Sequence, residues 1–190
     1  MTKAEIMAIL EKTGAYLQGH FLLSSGRHSQ RYFEKFRVLE HPRYAEQLCG
    51  ELAQRFEHKS IDVVIGPAIG GIILAYEIAR HLNARAIFAE REAGEMKLRR
   101  GFTIEQGENV LIVEDVVTTG GSVREVLKLV EQTDSHIQGI GVLMDRSGGS
   151  VDLGYPSQAL ISLDIQSYAP EDCPLCREGI PITQRGSRNI

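Results

Sequence analysis

Two adjacent carboxylates and a run of small polar residues follow a short apolar segment near the middle of the chain. Residues 110–113 are apolar, Glu114 and Asp115 come next, and residues 118–122 read Thr-Thr-Gly-Gly-Ser. The small residues stand where a following helix would begin, so their backbone N–H groups and hydroxyls can hold an anion such as a phosphate. The acids would repel a phosphate, and they suit sugar hydroxyls or a metal ion beside phosphate. The pattern therefore predicts a site for a phosphorylated sugar.

The same segment has a purely structural interpretation. Loops after strands often contain Gly, Thr and Asp because these residues form turns and helix caps. The order of apolar strand, acid pair, small polar loop and amphipathic helix is more specific than that. The segment also lacks the Lys of a P-loop and the glycine spacing of a dinucleotide-binding fingerprint. The helix is predicted from apolar residues at helical spacing, namely Val123, Val126, Leu127 and Val130.

Residues 110–123 resemble the phosphoribosyl-pyrophosphate (PRPP) signature of the type I phosphoribosyltransferases, and the form of the motif resembles that of the orotate phosphoribosyltransferases in particular. The resemblance implies that Glu114 and Asp115 hold the ribose 2- and 3-hydroxyls and that residues 118–122 hold the 5-phosphate. The implied PRPP-binding set is Glu114, Asp115, Val116, Val117, Thr118, Thr119, Gly120, Gly121 and Ser122, with Arg91 and Lys97. The implied reaction joins orotate to PRPP and gives orotidine 5'-phosphate and pyrophosphate, a step of pyrimidine (UMP) biosynthesis. Mg²⁺ is the implied cofactor, bound mainly through PRPP and water rather than by protein side chains.

Residues 90–102 form the densest cationic patch of a chain whose net charge is −4. A solvated hairpin is the simplest structural interpretation of such a charge run. The functional interpretation is a mobile loop over residues 90–108 that closes over the leaving pyrophosphate. The resemblance favours the mobile loop, and it implies catalytic roles for Arg91, Lys97 and Asp115. It also implies a homodimer in which the loop of one subunit reaches the active site of the other.

Arg146 follows an apolar segment, residues 137–144, which we interpret as a strand. An Arg at the C-terminal end of such a strand faces the usual ligand crevice of an open α/β sheet. Its guanidinium can bind a carboxylate with two hydrogen bonds, and orotate carries a carboxylate. The structural alternative is a surface Arg paired with a nearby acid. The resemblance implies that Arg146 binds orotate, and we assign Thr118 to the same site.

A second loop of small residues, 66–71, also follows a predicted strand. Taken alone it is as well explained by a structural turn, whereas the resemblance implies contact with pyrophosphate. Many orotate enzymes have Lys where this chain has Ser24 and Gly70, and the charged loop differs at residues 94–96. The candidates to supply the lost positive charge are Lys35, Arg91 and Arg99.

Strands and helices alternate from about residue 42 onward, which predicts an α/β fold with a mostly parallel central sheet flanked by helices. This is the type I phosphoribosyltransferase fold that the resemblance implies, and we expect one domain over residues 1–190. Amphipathic helices are predicted over residues 3–12 and 42–57. Residues 1–40 are expected to include a small N-terminal hood over the base.

Composition sets limits on location and partners. Hydrophobic residues at 43% and charged residues at 24% are ordinary for a globular protein, and the net negative charge argues against general nucleic-acid binding. No apolar run approaches the roughly 20 residues that span a membrane, and the N-terminus lacks the apolar region of a signal peptide. We therefore expect a cytoplasmic protein without membrane or nucleic-acid partners.

The chain has three Cys, which does not suggest a disulfide scaffold. Cys173-x-x-Cys176 could be half of a zinc site, but neither a second such motif nor a nearby His pair completes it in the sequence. We therefore expect a short turn or helix there, without a metal.

Two other functions stay open at this stage. A purine or other-base phosphoribosyltransferase would keep the PRPP site and need a different base pocket. A PRPP-sensing regulator of transcription would need a basic surface or an added DNA-binding domain, and neither is evident in the sequence.

Overall fold

The computed structural model describes residues 1–23, 25–163 and 165–184. The expectation that concerned Ser24 lies outside these residues. The described helices are α1 (Lys3–Lys12), α2 (Phe36–Leu39), α3 (Pro42–Gln54), α4 (Gly70–Leu82), α5 (Gly121–Glu131) and α6 (Pro174–Arg177), with a 3₁₀ turn at Pro170–Asp172. The described strands are β1 (Tyr16–Leu22), β2 (His28–Phe33), β3 (Val63–Pro67), β4 (Arg85–Glu92), β5 (Glu95–Leu98), β6 (Asn109–Val117), β7 (His136–Asp145), β8 (Ser157–Ser162), β9 (Ser167–Tyr168) and β10 (Thr183–Gln184).

The central sheet has six strands in the order β5-β4-β3-β6-β7-β8. All neighbours in it are parallel except β5, which pairs antiparallel with β4. This confirms the α/β fold with a mostly parallel central sheet. Because parallel strands are connected by crossover helices, the carboxyl ends of β3, β6 and β7 meet at one edge of the sheet, where ligands bind in open α/β folds.

Both faces of the central sheet are covered, as the apolar sequences of its strands require. Leu111 and Val113 of β6 point into an apolar cluster that includes residues of α3 and α4. Val110 and Ile112 point the other way, into a cluster that includes Val123 and its neighbours on α5. This alternation fixes which way each side chain of β6 faces as the strand enters the site.

The ends of the helices follow from local sequence. Thr2 caps α1 through a capping box with Glu5, and Pro42 occupies the first turn of α3, where its missing N–H costs little. The helix predicted over 42–57 ends three residues earlier, at Gln54. No helix in the described part of the chain is both long and apolar enough to cross a bilayer.

The N-terminal segment forms a second, smaller sheet in the order β10-β1-β2-β9. β1 and β2 are an antiparallel pair, as expected for a hood, but β9 and β10 come from the C-terminal segment. The hood therefore depends on both ends of the chain, which the sequence analysis did not predict.

Candidate functional site

The acid pair lies at the carboxyl end of β6. The strand continues through Glu114 and Asp115 to Val117, so the acids belong to the strand and not to a loop after residue 113 as the sequence suggested. Pairing with β7 holds the end of β6 as far as Val117, which pairs with Asp145, whereas the pairing of β6 with β3 stops at Ile112. Glu114 and Asp115 are only 6% and 2% exposed. Two carboxylates on consecutive strand residues are thus held in a place with little water.

Burial controls the charge of this pair. Desolvation, together with the neighbouring Asp115 carboxylate, raises the pKa of Glu114 to about 8. Desolvation also raises the pKa of Asp115, although Lys35 opposes that shift. Oε1 of Glu114 accepts a 3.0 Å hydrogen bond from the backbone N–H of Asp115. Near neutral pH the two carboxyl groups therefore carry less negative charge than two ionised carboxylates would, unless cations or hydroxyl donors approach them.

Lys35 provides one such cation. Its Nζ lies 2.7 Å from Oδ2 of Asp115, and the residue stands directly before α2, between β2 and α3. Lys35 was one of three candidates for the positive charge that the sequence lacks at residue 70. The structure brings it to the acid pair from a segment about 80 residues away in sequence.

The loop between β3 and α4 approaches the same acids. A Cβ atom on Gly70 would lie 1.6 Å from Oδ2 of Asp115, so only glycine fits there while the Asp115 carboxylate keeps its position. A Cβ on Gly66 would lie 2.7 Å from the carbonyl oxygen of Gly71, which keeps the two ends of the loop in contact. Close packing against Asp115 therefore explains why residue 70 is Gly and not Lys.

The loop after β6 opens into a cleft of about 290 Å³. The cleft is lined by Glu114, Val116, Val117, Thr118, Thr119, Gly120, Gly121, Ser122, Val123 and Glu125, together with Arg91. α5 begins at Gly121, so the unpaired N–H groups of its first turn border the cleft. Eight of the nine residues that the sequence assigned to PRPP over 114–122 line this cavity, and Asp115 is not among its lining residues.

Gly120 gives the loop its shape. Its φ of 76° is in the left-handed region, and a Cβ there would lie within 3 Å of side-chain atoms of Leu153 and Val151. The guanidinium of Arg124 donates to the backbone carbonyls of Thr119 and Asp152, which fixes the loop from the other side. The hydroxyl-bearing residues Thr118 and Thr119 stay exposed to the cleft.

Residues 90–98, the first part of the predicted mobile loop, form the β4–β5 hairpin. Arg91 borders the cleft and forms a 2.7 Å ion pair with Glu125 of α5. Lys97 is half-buried and pairs with Glu92 and Glu95 of its own hairpin, at 3.3 and 3.7 Å. The structure thus brings Arg91 but not Lys97 to the cleft of its own chain, and movement of this segment stays a prediction.

Arg146 lies directly after β7, beside the end of β6. Its backbone N–H donates to the carbonyl of Val117, and burial lowers the pKa of its guanidinium. Its Nε is buried and makes no hydrogen bond within the described residues. The nearby carboxylate of Asp145 instead accepts from the backbone N–H groups of Ser147 and Gly149. Among the described residues Arg146 has no ion-pair partner, so the structural alternative of a paired surface Arg does not hold for that part of the chain.

A second cluster of reactive side chains was missed by sequence reasoning. His20, His28, Cys173 and Cys176 converge in the hood, with one ligand-type atom of each within 4.8 Å of the others. The Cys-x-x-Cys motif was visible in the sequence, and α6 confirms the short helix expected there. The His pair was not recognised because it lies about 150 residues earlier, on β1 and β2.

Comparison with known proteins adds a family and close relatives. A family model described as "Phosphoribosyl transferase domain" matches residues 37–166. A protein of Pelotomaculum thermopropionicum named orotate phosphoribosyltransferase is 60% identical over 190 residues, with 100% of both chains covered. A protein of the same name from Thermotoga maritima is 52% identical over 185 residues, which cover 97% of this chain and 99% of that protein.

Solved structures give the same architecture. The orotate phosphoribosyltransferase of Aeropyrum pernix superposes with a TM-score of 0.70 at 26% identity, over 83% of this chain and 93% of that one. The adenine phosphoribosyltransferase of Rhodothermus marinus superposes with a TM-score of 0.67 at 20% identity, over 85% and 100% of the two chains. At that identity the second likeness concerns the fold alone.

Proposed function

The chain belongs to the phosphoribosyltransferase family, and we propose that it transfers the phosphoribosyl group of PRPP to orotate. The products are orotidine 5'-phosphate and pyrophosphate, and the reaction is a step of pyrimidine (UMP) biosynthesis. The enzyme is a glycosyltransferase that transfers a pentosyl group. The full-length relatives at 52–60% identity that carry the name orotate phosphoribosyltransferase support the choice of base.

One observation carries the PRPP part of the proposal. Buried Glu114 and the open polar loop at the N-terminus of α5 border one cleft, and Asp115 is the next residue of the strand after Glu114. Phosphate suits the loop, because N–H groups and hydroxyls converge there with the positive end of the helix dipole. The acids suit the ribose hydroxyls, because a neutral hydroxyl can donate a hydrogen bond to a carboxylate.

The chemistry requires positioning and charge stabilisation rather than a protein nucleophile. Breaking the bond from ribose C1 to pyrophosphate leaves positive charge on the sugar and negative charge on the leaving group. The acid pair beneath the ribose stabilises the first charge, because carboxylates in a water-poor site act strongly on a nearby cation. Arg91 lines the cleft and Lys35 lies beside Asp115, so these two cations are placed to act on the second charge.

Orotate would lie between the PRPP site and the hood. Its carboxylate suits the guanidinium of Arg146, whose buried Nε is available for a hydrogen bond. Thr118 is exposed at the same sheet edge and can contribute a hydroxyl. Holding the base this way aligns its nitrogen with ribose C1, and such alignment contributes much of the rate of a two-substrate reaction.

The residues present fit Mg²⁺ only as an ion carried by PRPP. Asp115 is paired with Lys35 and Glu114 is 6% exposed, so the two acids do not form an open group of carboxylates that could hold an ion alone. Mg²⁺ commonly keeps several waters and binds substrate phosphates. When bound, it would neutralise charge on the pyrophosphate.

The homodimer and the mobile loop belong to this proposal too. Lys97 points to acids of its own hairpin and does not border the cleft of its own chain. A site completed by the hairpin of a second subunit accounts for this placement and keeps Lys97 in a catalytic role. We likewise place the enzyme in the cytoplasm, with PRPP and orotate as its partners and with no nucleic acid or membrane.

The test follows orotate absorbance with purified protein, PRPP and Mg²⁺. We expect orotate consumption that requires PRPP and Mg²⁺ and that falls by roughly 100-fold or more in Asp115→Asn. The matched control is Asp134→Asn, an exposed carboxylate outside the cleft, which should react like the wild type.

Two outcomes would contradict the proposal in different ways. PRPP binding without orotate consumption would exclude orotate as the base, and other bases would then be screened. Equal activity in Asp115→Asn and wild type would exclude the acid pair from the reaction.

A further inference from the structure

Three separate segments bring four metal-binding side chains together at the outer end of the hood. His20 lies on β1, His28 lies on the neighbouring strand β2, and the two Cys flank Leu175 at the short helix α6. His20, His28 and Cys173 are buried, and Cys176 is at the surface. The cluster lies outside the PRPP cleft and shares no residue with it.

Four of the six distances between the ligand atoms are close to the edges of a tetrahedron around zinc, and all six are within 4.8 Å. Nε2 of His20 lies 3.0 Å from Nδ1 of His28 and 3.5 Å from Sγ of Cys173. Sγ of Cys176 lies 3.3 Å from Nδ1 of His28 and 3.8 Å from Nε2 of His20. Bond lengths of about 2.05 Å to nitrogen and 2.3 Å to sulfur give edges of about 3.3 Å for N···N and 3.6 Å for N···S.

The orientation of His20 also suits a metal. Its Nδ1 lies 2.7 Å from the carbonyl oxygen of Ile180, which can only accept a hydrogen bond. The proton of a neutral His20 is therefore on Nδ1, and Nε2 directs its lone pair at the other three ligands. A metal-bound His is typically held in this way, with its second ring nitrogen bonded to a carbonyl or carboxylate.

Hydrogen bonds alone account poorly for the cluster. Nε2 of His20 has one lone pair in the ring plane, yet three potential donors lie within 3.8 Å of it. One lone pair cannot serve three donors, whereas a cation at the centre would bind all four atoms at once.

We propose that His20, His28, Cys173 and Cys176 bind a structural Zn²⁺ that fastens the C-terminal segment to the hood. Two Cys and two His form a closed set of four ligands, which is typical of structural rather than catalytic zinc. The site would take a zinc ion rather than magnesium, because thiolate and imidazole are ligands that zinc prefers. This inference does not depend on the identity of the base or on the proposed activity.

Few other contacts hold the C-terminal segment to the hood. β10 joins β1 through two residue pairs, and β9 joins β2 through two. The described part of the C-terminal segment beyond β9 contributes one large buried apolar side chain, Leu175, besides Cys173. So small an apolar contact gives little stability, and metal binding can supply the rest because its free energy becomes folding free energy.

The test measures metal on the full-length protein, kept reduced, incubated with Zn²⁺ and dialysed. Mass spectrometry of the metal should find about one zinc ion per chain. Cys176→Ser is the main variant, because the exposed side chain can change with little effect on packing, and it should retain zinc only at background level. His28→Gln should behave in the same way.

The matched controls are Cys49→Ala in α3 and His58→Gln at the surface, which lie outside the cluster and should keep the full zinc content. Cobalt gives an independent readout that needs no variant to fold. Co²⁺-loaded wild type should show the visible bands of a tetrahedral site and a thiolate-to-metal charge-transfer band, and a chelator should lower its melting temperature.

Three results would each overturn the zinc site. The first is a wild-type zinc content at background after incubation. The second is a zinc content in Cys176→Ser and His28→Gln that equals that of the controls. The third is a cobalt spectrum without the charge-transfer band. Orotate consumption is not part of any of these results, so the zinc site and the proposed activity succeed or fail separately.

Discussion

The ammonium nitrogen of Lys35 lies 2.7 Å from Oδ2 of Asp115, and this ion pair links the segment after β2 to the acid pair at the end of β6. The Asp115 side chain is 3% exposed, whereas that of Lys35 is 33% exposed. The lysine therefore approaches the acid from the solvent side, where a substrate would enter. Its charge opposes the effect of burial on the pKa of both Asp115 and Glu114.

Replacement of Lys35 by Met should reduce activity and move its pH dependence. Without the ammonium the pKa of Asp115 and Glu114 rises, so the acids hold protons up to a higher pH. We expect kcat/KM for PRPP to fall by roughly 10- to 100-fold, as for other lost charged hydrogen-bond partners. The acidic limb of the pH–rate profile should move to higher pH, which stopped assays across the pH range would measure.

Two variants separate charge from shape at this position. Lys35→Arg keeps the charge and should keep the position of the acidic limb, even if the rate is lower. Lys128→Met removes an exposed lysine on α5 and should behave like the wild type. A Lys35→Met enzyme with an unmoved acidic limb would show that the ion pair has no part in setting the charge of the acids.

Gly70→Ala should damage the site although Ala is the better helix former. The added Cβ would lie 1.6 Å from Oδ2 of Asp115, so the carboxylate must leave its position beside Lys35. Because displacements of about 1 Å at reacting groups cost rate steeply, we expect kcat/KM to fall by roughly 100-fold. Steady-state kinetics with PRPP varied would measure the loss.

The control for this substitution is another buried glycine. A Cβ on Gly141 of β7 would meet its nearest atoms at 3.4 to 3.5 Å, which is ordinary contact. Gly141→Ala should therefore keep most of the activity. Near-normal kinetics of Gly70→Ala would mean that Asp115 can move without consequence for the reaction.

The sequence predicted the parts of the site that are contiguous in the chain. Residues 114–122 of the cleft come from one strand, one loop and one helix that follow each other in the chain. Their order in the sequence is therefore enough to predict how they are arranged. The alternation of strands and helices likewise predicted the parallel sheet, because such a sheet requires crossover connections. The end of β6 was misjudged, since carboxylates are rare in buried strands and usually mark where a strand stops.

The sequence could not show relationships between distant residues. The contact of Lys35 with Asp115 depends on how the hood folds over β6, and no local pattern encodes it. The pairing of β9 and β10 with the hood places Cys173 beside His20, 153 residues earlier. Two-residue strands of this kind have no hydrophobic period that a sequence could reveal.

Arg146→Gln should weaken the use of orotate while leaving PRPP binding intact. The substitution removes the charge and the two-fold hydrogen bonding that a carboxylate prefers. We expect kcat/KM for orotate to fall by roughly 10- to 100-fold, mainly through KM. Kinetics with each substrate varied in turn would separate the two effects.

Arg43→Gln is the matched control, because Arg43 is exposed on α3 and lies away from the cleft. It should leave both KM values unchanged. If Arg146→Gln raised the KM of PRPP as much as that of orotate, the guanidinium would act on the binding of both substrates and would not be specific to the base.

The stability of the free enzyme should depend on pH through Glu114. Its pKa is raised from 4.5 to about 8 in the folded chain, so the folded state holds a proton that the unfolded state has released. This contribution to stability is complete below pH 4.5 and is lost as pH rises through 8. Glu114→Gln removes it, so the melting temperature of the wild type should fall relative to the variant, by roughly 3 °C or more over that range.

Thermal melts of both proteins in buffers across the range would measure the difference. Glu57→Gln, which replaces an exposed carboxylate, should follow the wild type at every pH. A constant gap between wild type and Glu114→Gln would mean that Glu114 titrates near its ordinary pKa in the folded protein.

Lys97→Ala should lower kcat without unfolding the protein. Assembly of this variant with a subunit that carries a different substitution should restore part of the activity. Lys97 is half-buried and pairs only locally among the described residues, with Glu92 and Glu95, so its loss costs little stability. If each site takes its hairpin from the partner, a dimer of one Lys97→Ala chain and one Asp115→Asn chain contains one intact site. Equal mixing by co-expression gives half mixed dimers, and activity should recover to roughly a quarter of the wild-type value. Mixed dimers isolated with two affinity tags that showed no recovery would mean that Lys97 acts within its own chain or not at all.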